Sequence, residues 1–477
     1  MSTAGRRLGS TIFALVAAIA LLSNCSAKVG GTASPLGQLD PGSAGGMPVN
    51  TGESGPRPGV PDATLPVVDT DGGEMDRLAV NTIADVDDYW TDQLPKVFGR
   101  KFQPASRLTS YDSDGANLQV CAGRENTAGV VNAFYCNLDN SVSWDRGELL
   151  PTLVQNFGPL AVTMVLAHEM GHAIQTQLGP LSGVNNATPS IVLEQQADCY
   201  AGSFMRSVAE GKAKHFQMST GDGLNKVLAT TFFVRDDPGS SFKGKSAHGN
   251  AFDRVFAFQT GFTDGPKRCS QIDVNEINSR ITETAFRNDE DASQNGNVPI
   301  TVANLQIVAK ALNDVFARTT PPKLVTAPAQ CADAKTTSPT AYCPATDTVS
   351  MDVAKLKAIG TPTKKGGGIG DFAAFGEVAS RYVLSVQKAA NLPLDDVNTG
   401  LRTACLVGYW GASMKKETDH LVLSAGDLDE AVAELLASNS LIAADVNGKP
   451  AASGFARVEA FRIGFLQGAS TCTQQFT

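Results

Sequence analysis

The sequence predicts an α+β protein whose 477 residues form two tandem domains of one kind. The second is a degenerate copy of the first, and both follow a disordered N-terminal tether. Three observations lead there. Residues 253–269, DRVFAFQTGFTDGPKRC, return at 456–472 as ARVEAFRIGFLQGASTC with eight of 17 positions identical, where chance gives about one. Cysteines follow the same order twice, at 121, 136, 199 and 269 and then at 331, 343, 405 and 472. Residues 26–75 hold 11 Gly, 7 Pro and no aromatic residue, a composition too poor in apolar side chains for a core of its own.

Arg6 and Arg7 precede the apolar run Leu8–Leu22, which ends in LLSNC. A charged start, a short apolar stretch and a terminal cysteine make a secretory signal over residues 1–25. About 15 apolar residues fall short of the roughly 20 that a membrane span requires. LLSNC resembles the lipobox of bacterial lipoproteins, with Cys25 as the lipidated position, but Asn24 stands where Gly, Ala or Ser is usual. The alternative is an ordinary signal peptide, or an uncleaved anchor, with an incidental Cys25. Either way the rest of the chain is expected to be exported, anchored on the outer face of the cytoplasmic membrane or secreted. Residues 26–75 are expected to be a flexible linker spanning about 40 Å, which would hold the first domain clear of a membrane surface.

Ordered structure is expected from Asp76. Leu78, Ile83, Val86, Trp90 and Leu94 recur at helical spacing. The segment CAGRENTAGVVNAFYCNLDNSVSWD then suggests strands and turns closed by Cys121–Cys136. An apolar helix over about 158–178 carries HEMGH and stops at Gly179-Pro180. Pro189 suits the first position of another helix, about 189–211, carrying LEQQADCYAG. The polar RNDEDASQNGN at 287–297 marks the boundary between copies, giving domains over 76–297 and 298–477. With Cys25 set aside, eight cysteines suit four disulfides in an oxidising compartment. Pairing within each copy predicts Cys121–Cys136, Cys199–Cys269, Cys331–Cys343 and Cys405–Cys472, among about a hundred arrangements open to eight cysteines.

A formal charge of −9 and no basic surface argue against a nucleic-acid partner. The chemistry lies in HEMGH. His168 and His172, four apart on a helix, project from one face and can both reach one Zn²⁺ at about 2.0–2.1 Å. Glu169 beside them is placed to take a proton from the water that the metal activates. With five histidines in the chain, this motif arises by accident in roughly a few sequences per thousand. A catalytic zinc needs a third protein ligand. Glu194 and Asp198 in EQQAD are again four apart, so Glu194 can bind the metal while Asp198 accepts the outer ring N–H of a histidine. Two solvated acids on a surface helix are the plainer alternative.

This pairing resembles the gluzincin zinc peptidases, where HExxH is followed by ExxxD. AFYC, HEMGHAIQ, EQQADCYAG and HGNAFDRVFAFQTGF with its following cysteine are together similar to the neutral zinc metallopeptidase family of bacteria, over about residues 76–270. The resemblance implies a gluzincin-like (zincin) α+β domain with Zn²⁺ on His168, His172 and Glu194, and Glu169 as catalytic acid/base. His248 falls in the same stretch and is a candidate donor to the oxyanion, or a turn histidine satisfied locally. Tyr200 is a weaker candidate for that task. Asp236 and Asp237 could shape the cleft, although paired acids before Pro-Gly usually make a turn.

Sliding the copies on a shared Val-Leu pair puts VLAHEMGH over VLSVQKAA, so that Val386, Gln387 and Ala390 replace His168, Glu169 and His172. The cysteine and RVxAF anchors put Gly400, Ala404 and Ala451 under Glu194, Asp198 and His248. The second copy therefore keeps its core and loses its chemistry. His215 and His420 are expected on the surface. KKGGGIG at 364–370 lacks the ending of a phosphate loop and suggests a flexible loop before a helix. The expected activity is hydrolysis of peptide bonds in peptide or protein substrates by an exported zinc endopeptidase whose two repeats pack on each other. The rivals are a pseudo-peptidase that binds envelope partners and a lipoprotein that handles zinc.

Overall fold

Four strands form the sheet of the first half: β1 (Val67–Val68), β2 (Arg107–Tyr111), β3 (Ala133–Cys136) and β4 (Ser141–Asp145). Their spatial order is β1-β2-β4-β3, with β1, β2 and β4 parallel and β3 antiparallel along one edge. A computed structural model of the chain describes these elements within residues 39–476, apart from 116, 245–246, 283, 328–329, 363–367 and 416–420. The signal segment, Cys25, the start of the tether and His420 lie outside the described residues.

Helix α1 (Glu74–Phe98) buries the five apolar residues that its spacing singled out and ends at Gly99 in the left-handed conformation. After the sheet come α2 (Leu149–Phe157), α3 (Pro159–Leu178), α4 (Ser190–Ala209), α5 (Asp222–Phe233), α6 (Ala251–Asp264) and α7 (Pro266–Cys269). Pro189 stands one place before α4, as its cap, rather than inside it. Among the described residues no helix is long and apolar enough to cross a membrane.

The second half presents a similar order: α8 (Val302–Phe316), β5 (Lys323–Val325), β6 (Thr340–Cys343), β7 (Thr348–Met351), α9 (Val353–Ile359), α10 (Asp371–Ala389), α11 (Thr399–Ser413), α12 (Asp427–Leu436), α13 (Gly454–Gln467) and α14 (Ala469–Gln475). Its strands run β5-β7-β6, the first pair parallel and the second antiparallel, as β2, β4 and β3 do. Cys121–Cys136 and Cys331–Cys343 close the two strand segments, and Cys199–Cys269 and Cys405–Cys472 clamp α4 to α7 and α11 to α14.

The crossing of α4 with α6 depends on two glycines. A Cβ on Gly261 would land on the Cys199 carbonyl oxygen, and one on Gly202 would land on that of Phe258. Gly464 and Gly408 meet Cys405 and Phe461 in the same way in the second half. Backbone cannot step aside as a side chain can, so Gly261→Ala is expected to cost about 3 kcal/mol, the upper part of the overpacking range. Denaturant unfolding of the variant checks this.

Both halves lie in one compact unit, Pro35–Thr477. Phe252 on α6 meets Phe461 and Phe465 on α13, and Gln259 Nε2 donates to the Phe455 carbonyl at 2.9 Å. The expected disordered tether does not extend through residue 75. Residues 39–75 are a strap laid over this unit, and β1 belongs to the sheet. Arg57 donates from Nε to the Ala213 and Phe216 carbonyls, and Gly55–Pro56 pairs with Phe216–Gln217. Asn81 fastens Asp62 and Ala63, Arg206 holds the Gly45 carbonyl, and Ser453 N donates to the Pro41 carbonyl. Composition excluded a core inside this segment. It did not exclude an extended chain whose backbone groups are satisfied by a core built elsewhere.

Candidate metal centre

Helix α3 opens at Gly158, whose φ of 85° suits a residue without Cβ, and continues with Pro159 at its first position. Its residues are apolar almost all round, which is the pattern of a helix covered on every side. His168 and His172 face α4, and Gly171 lies between them. A Cβ there would come 2.9 Å from the Ala197 Cα, so the glycine in HEMGH lets the two helices approach closely. That approach places Glu194 and Asp198 opposite the imidazoles.

His168 Nε2 lies 3.1 Å from Glu194 Oε2, and His172 Nε2 lies 3.5 Å from Glu194 Oε1. One ligand atom from each of the three residues falls within 4.8 Å of the others. Donors bonded at about 2.05 Å to one tetrahedral ion sit about 3.3 Å apart, so this set fits zinc. The outer nitrogens are spoken for. His168 Nδ1 lies 2.8 Å from Asp198 Oδ1, and Arg254 grips Asp198 from Nε at 2.9 Å and Nη2 at 2.8 Å. His172 Nδ1 donates to Gln175 Oε1 at 3.0 Å, while Gln175 Nε2 donates to the Leu193 carbonyl. Both rings thus turn Nε2 toward Glu194, with the supporting groups that metal-binding histidines use.

The charges are interlocked. Burial pulls the His168 imidazole down, but Asp198 and Glu194 outweigh it and lift it to about 10. His172 is lifted against burial by Glu194. Burial raises the Glu194 and Asp198 carboxyls, yet the two histidines hold Glu194 well below the usual range, and Arg254 with His168 lowers Asp198.

Glu169 Oε2 accepts the Tyr135 backbone N–H at 2.9 Å, which fixes the carboxylate beside edge strand β3. His248 is held at both ends by Asp236, whose Oδ1 lies 2.9 Å from Nδ1 and whose Oδ2 accepts the His248 N–H at 2.7 Å. Its side chain is 49% exposed. The Asp236 bond raises His248 above its ordinary value against partial burial, and the Glu194 charge adds to the rise. A His248 cation exists below its pKa and is lost as pH rises through it. Asp236→Asn removes the main cause of the rise, so the His248 imidazole should titrate at lower pH, which an NMR pH titration of its ring protons checks.

Two sequence candidates fall elsewhere. Tyr200 is buried in the core edge-on to Trp90, with no hydrogen bond to its hydroxyl, so it is not brought to the metal centre. Its neighbours on α4 contain the ligands, but its own face of the helix points at α1. His215 is not a surface residue: it is buried, with Nδ1 2.7 Å from Asp85 Oδ1. Asp237 stays in the turn, its carbonyl accepting from Ser240 N.

Sequence reasoning missed Arg254 and Gln175. Gln175 carried a usable signal, three residues beyond His172 on the same face. Arg254 did not, because its counterpart Arg457 persists in the second half and there donates to the Ala451, Leu435 and Ala437 carbonyls.

The Val-Leu alignment also needs correction. Helix α10 starts after Gly370 as α3 starts after Gly158. Gln387 accepts from Arg402 where Gln175 meets Gln196, three places before Cys405 and Cys199. In this register Ser380, Arg381 and Leu384, not Val386, Gln387 and Ala390, stand under His168, Glu169 and His172. Two letters misled because any apolar helix offers such pairs. Arg381 donates to the Leu441, Ala444 and Asp445 carbonyls, and a Cβ on Gly400, the counterpart of Glu194, would strike the Ala443 carbonyl oxygen. The space is filled by backbone and a guanidinium.

Residues 47–272 match the family described as "Putative neutral zinc metallopeptidase". An uncharacterized protein of Mycobacterium tuberculosis (strain ATCC 25618 / H37Rv) is 29% identical over 213 residues, covering 40% of this chain and 69% of the relative. The uncharacterized protein YpfJ of Escherichia coli (strain K12) is 28% identical over 207 residues, 39% of this chain and 68% of its own. No solved structure matches.

Proposed function

We propose that the family-matching stretch, residues 47–272, is a gluzincin-like, zinc-dependent endopeptidase domain, exported and anchored through Cys25. The observation that carries this reading is the convergence of His168, His172 and Glu194, with both outer ring nitrogens held by Asp198 and Gln175. Bound there, zinc would supply a Lewis acid for the scissile carbonyl and the attacking water. Glu169 takes a proton from that water as its oxygen bonds the carbonyl carbon. It then delivers the proton to the amine nitrogen as the C–N bond breaks. His248, steadied by Asp236, donates to the carbonyl oxygen as charge develops there. Edge strand β3 offers an extended peptide a partner beside Glu169.

The second half is, in this reading, a degenerate copy that cannot hold the ion. Its similar element order, strand senses and disulfides support common descent, and Arg381 and Gly400 support the loss of chemistry. Two measurements test the proposal: zinc content of the purified chain, and digestion of an unbiased peptide library with and without chelator. One zinc per chain and chelator-sensitive cleavage are expected. No zinc removes the enzyme reading, and two zincs contradict the asymmetry between halves.

A further inference from the structure

A second set of possible ligands, all carboxylates, lies where α10 and α12 begin. Asp371 is the first residue of α10, and Asp427 and Glu430 lie in the first turn of α12. One oxygen from each carboxylate falls within 4.8 Å of the others, and all three residues are buried. Oxygens on opposite sides of a calcium ion bonded at about 2.4 Å lie about 4.8 Å apart.

The three carboxylates are built into place. Asp371 Oδ2 accepts the Val298 N–H at 2.7 Å, Asp427 Oδ2 the Ser424 N–H at 2.7 Å, and Glu430 Oε2 the Phe372 N–H at 2.9 Å. Each therefore has one oxygen fixed by backbone. Asp371 Oδ1 has no hydrogen-bond partner although the residue is only 5% exposed. Among the described residues no lysine or arginine forms an ion pair with any of the three. The neighbouring Asp291 accepts from Ser424 Oγ and is answered by Arg287. Gly370 makes room: a Cβ on it would run into the Glu430 carboxylate. Burial and repulsion between neighbouring carboxylates push all three carboxyls up, so keeping them ionised together takes a cation between them. An all-oxygen donor set selects a hard ion rather than zinc.

We propose that Asp371, Asp427 and Glu430 bind a hard divalent cation, calcium, which ties the starts of α10 and α12 to the segment joining the two halves. The proposal does not rest on the peptidase reading. The same helix also faces the first half, because Asp429 on α12 forms an ion pair with Arg235 at 3.0 Å and accepts the Phe252 N–H at 3.2 Å.

The test is thermal unfolding and calorimetric titration of the chelated full chain with calcium chloride, with magnesium chloride as a second arm. Calcium is expected to bind and raise the midpoint by about 5 °C at saturation. His168→Ala should keep this response. Asp427→Asn and Glu430→Gln should lose it while melting, without calcium, no lower than the chelated parent, since each removes one of three crowded charges. A parent that does not respond to calcium overturns the proposal, whatever the variants do. So does a response undiminished in both amide variants, or one that magnesium reproduces in full at equal concentration.

Discussion

Glu169→Gln is expected to lower peptide hydrolysis at least about a thousandfold, within the range that a positioned general base contributes, while the chain keeps one zinc. The glutamine side chain has the same shape, and its oxygen can still accept the Tyr135 N–H that now holds Glu169 Oε2. It cannot take a proton. None of the three converging ligands is altered, so metal content should not change. Elemental analysis and a turnover assay on the same preparation check both halves of the expectation. A variant with parental turnover would refute the assigned role, and one that had lost its zinc would show that Glu169 acts on the ion.

The second large effect concerns Asp198, which touches no substrate in this reading. Its carboxylate joins His168 Nδ1 on one side and Arg254 on the other, entirely buried. Asp198→Ala leaves the Arg254 guanidinium enclosed without its counter-charge and frees the His168 ring to turn. Breaking one side of a buried pair costs about 3–5 kcal/mol, and loss of a ligand's supporting carboxylate costs about 10- to 100-fold in metal affinity. Unfolding of the metal-free chain isolates the first effect, and competition with a chelator isolates the second. Asp198→Ala combined with Arg254→Met should recover stability but not affinity. Recovery of both would make Asp198 a packing residue alone.

The site's first layer was legible because its spacing is local. HEMGH and EQQAD each place two side chains on one helical face, and the periodicity of an α-helix does the rest. What supports that layer was legible only where the chain is near in sequence. Gln175 could have been found. Arg254 reaches Asp198 from another helix, and its recurrence as Arg457 in the repeat gave no sign of that contact. Tyr200, the weaker oxyanion candidate, points elsewhere because sequence places a residue on a helix without saying which face meets which neighbour. The disulfide order was readable from the repeat of cysteines, since each half closes its own pairs. The strap at 39–75 was not, because its order depends on acceptors such as the Ala213 and Phe216 carbonyls that composition cannot reveal. His215 was misjudged for the same reason, its partner Asp85 lying 130 residues away.

Arg381 and the segment it grips close this part of the second half to a metal ion. With the Leu441, Ala444 and Asp445 carbonyls held by that guanidinium, single substitutions would not open a site there. A side chain at Gly400 would collide with the Ala443 carbonyl, and Ile442 already presses on Gly376. Placing histidines at Ser380 and Leu384 with acids at Arg381 and Gly400 would write the letters of a metal site without making room for the ion.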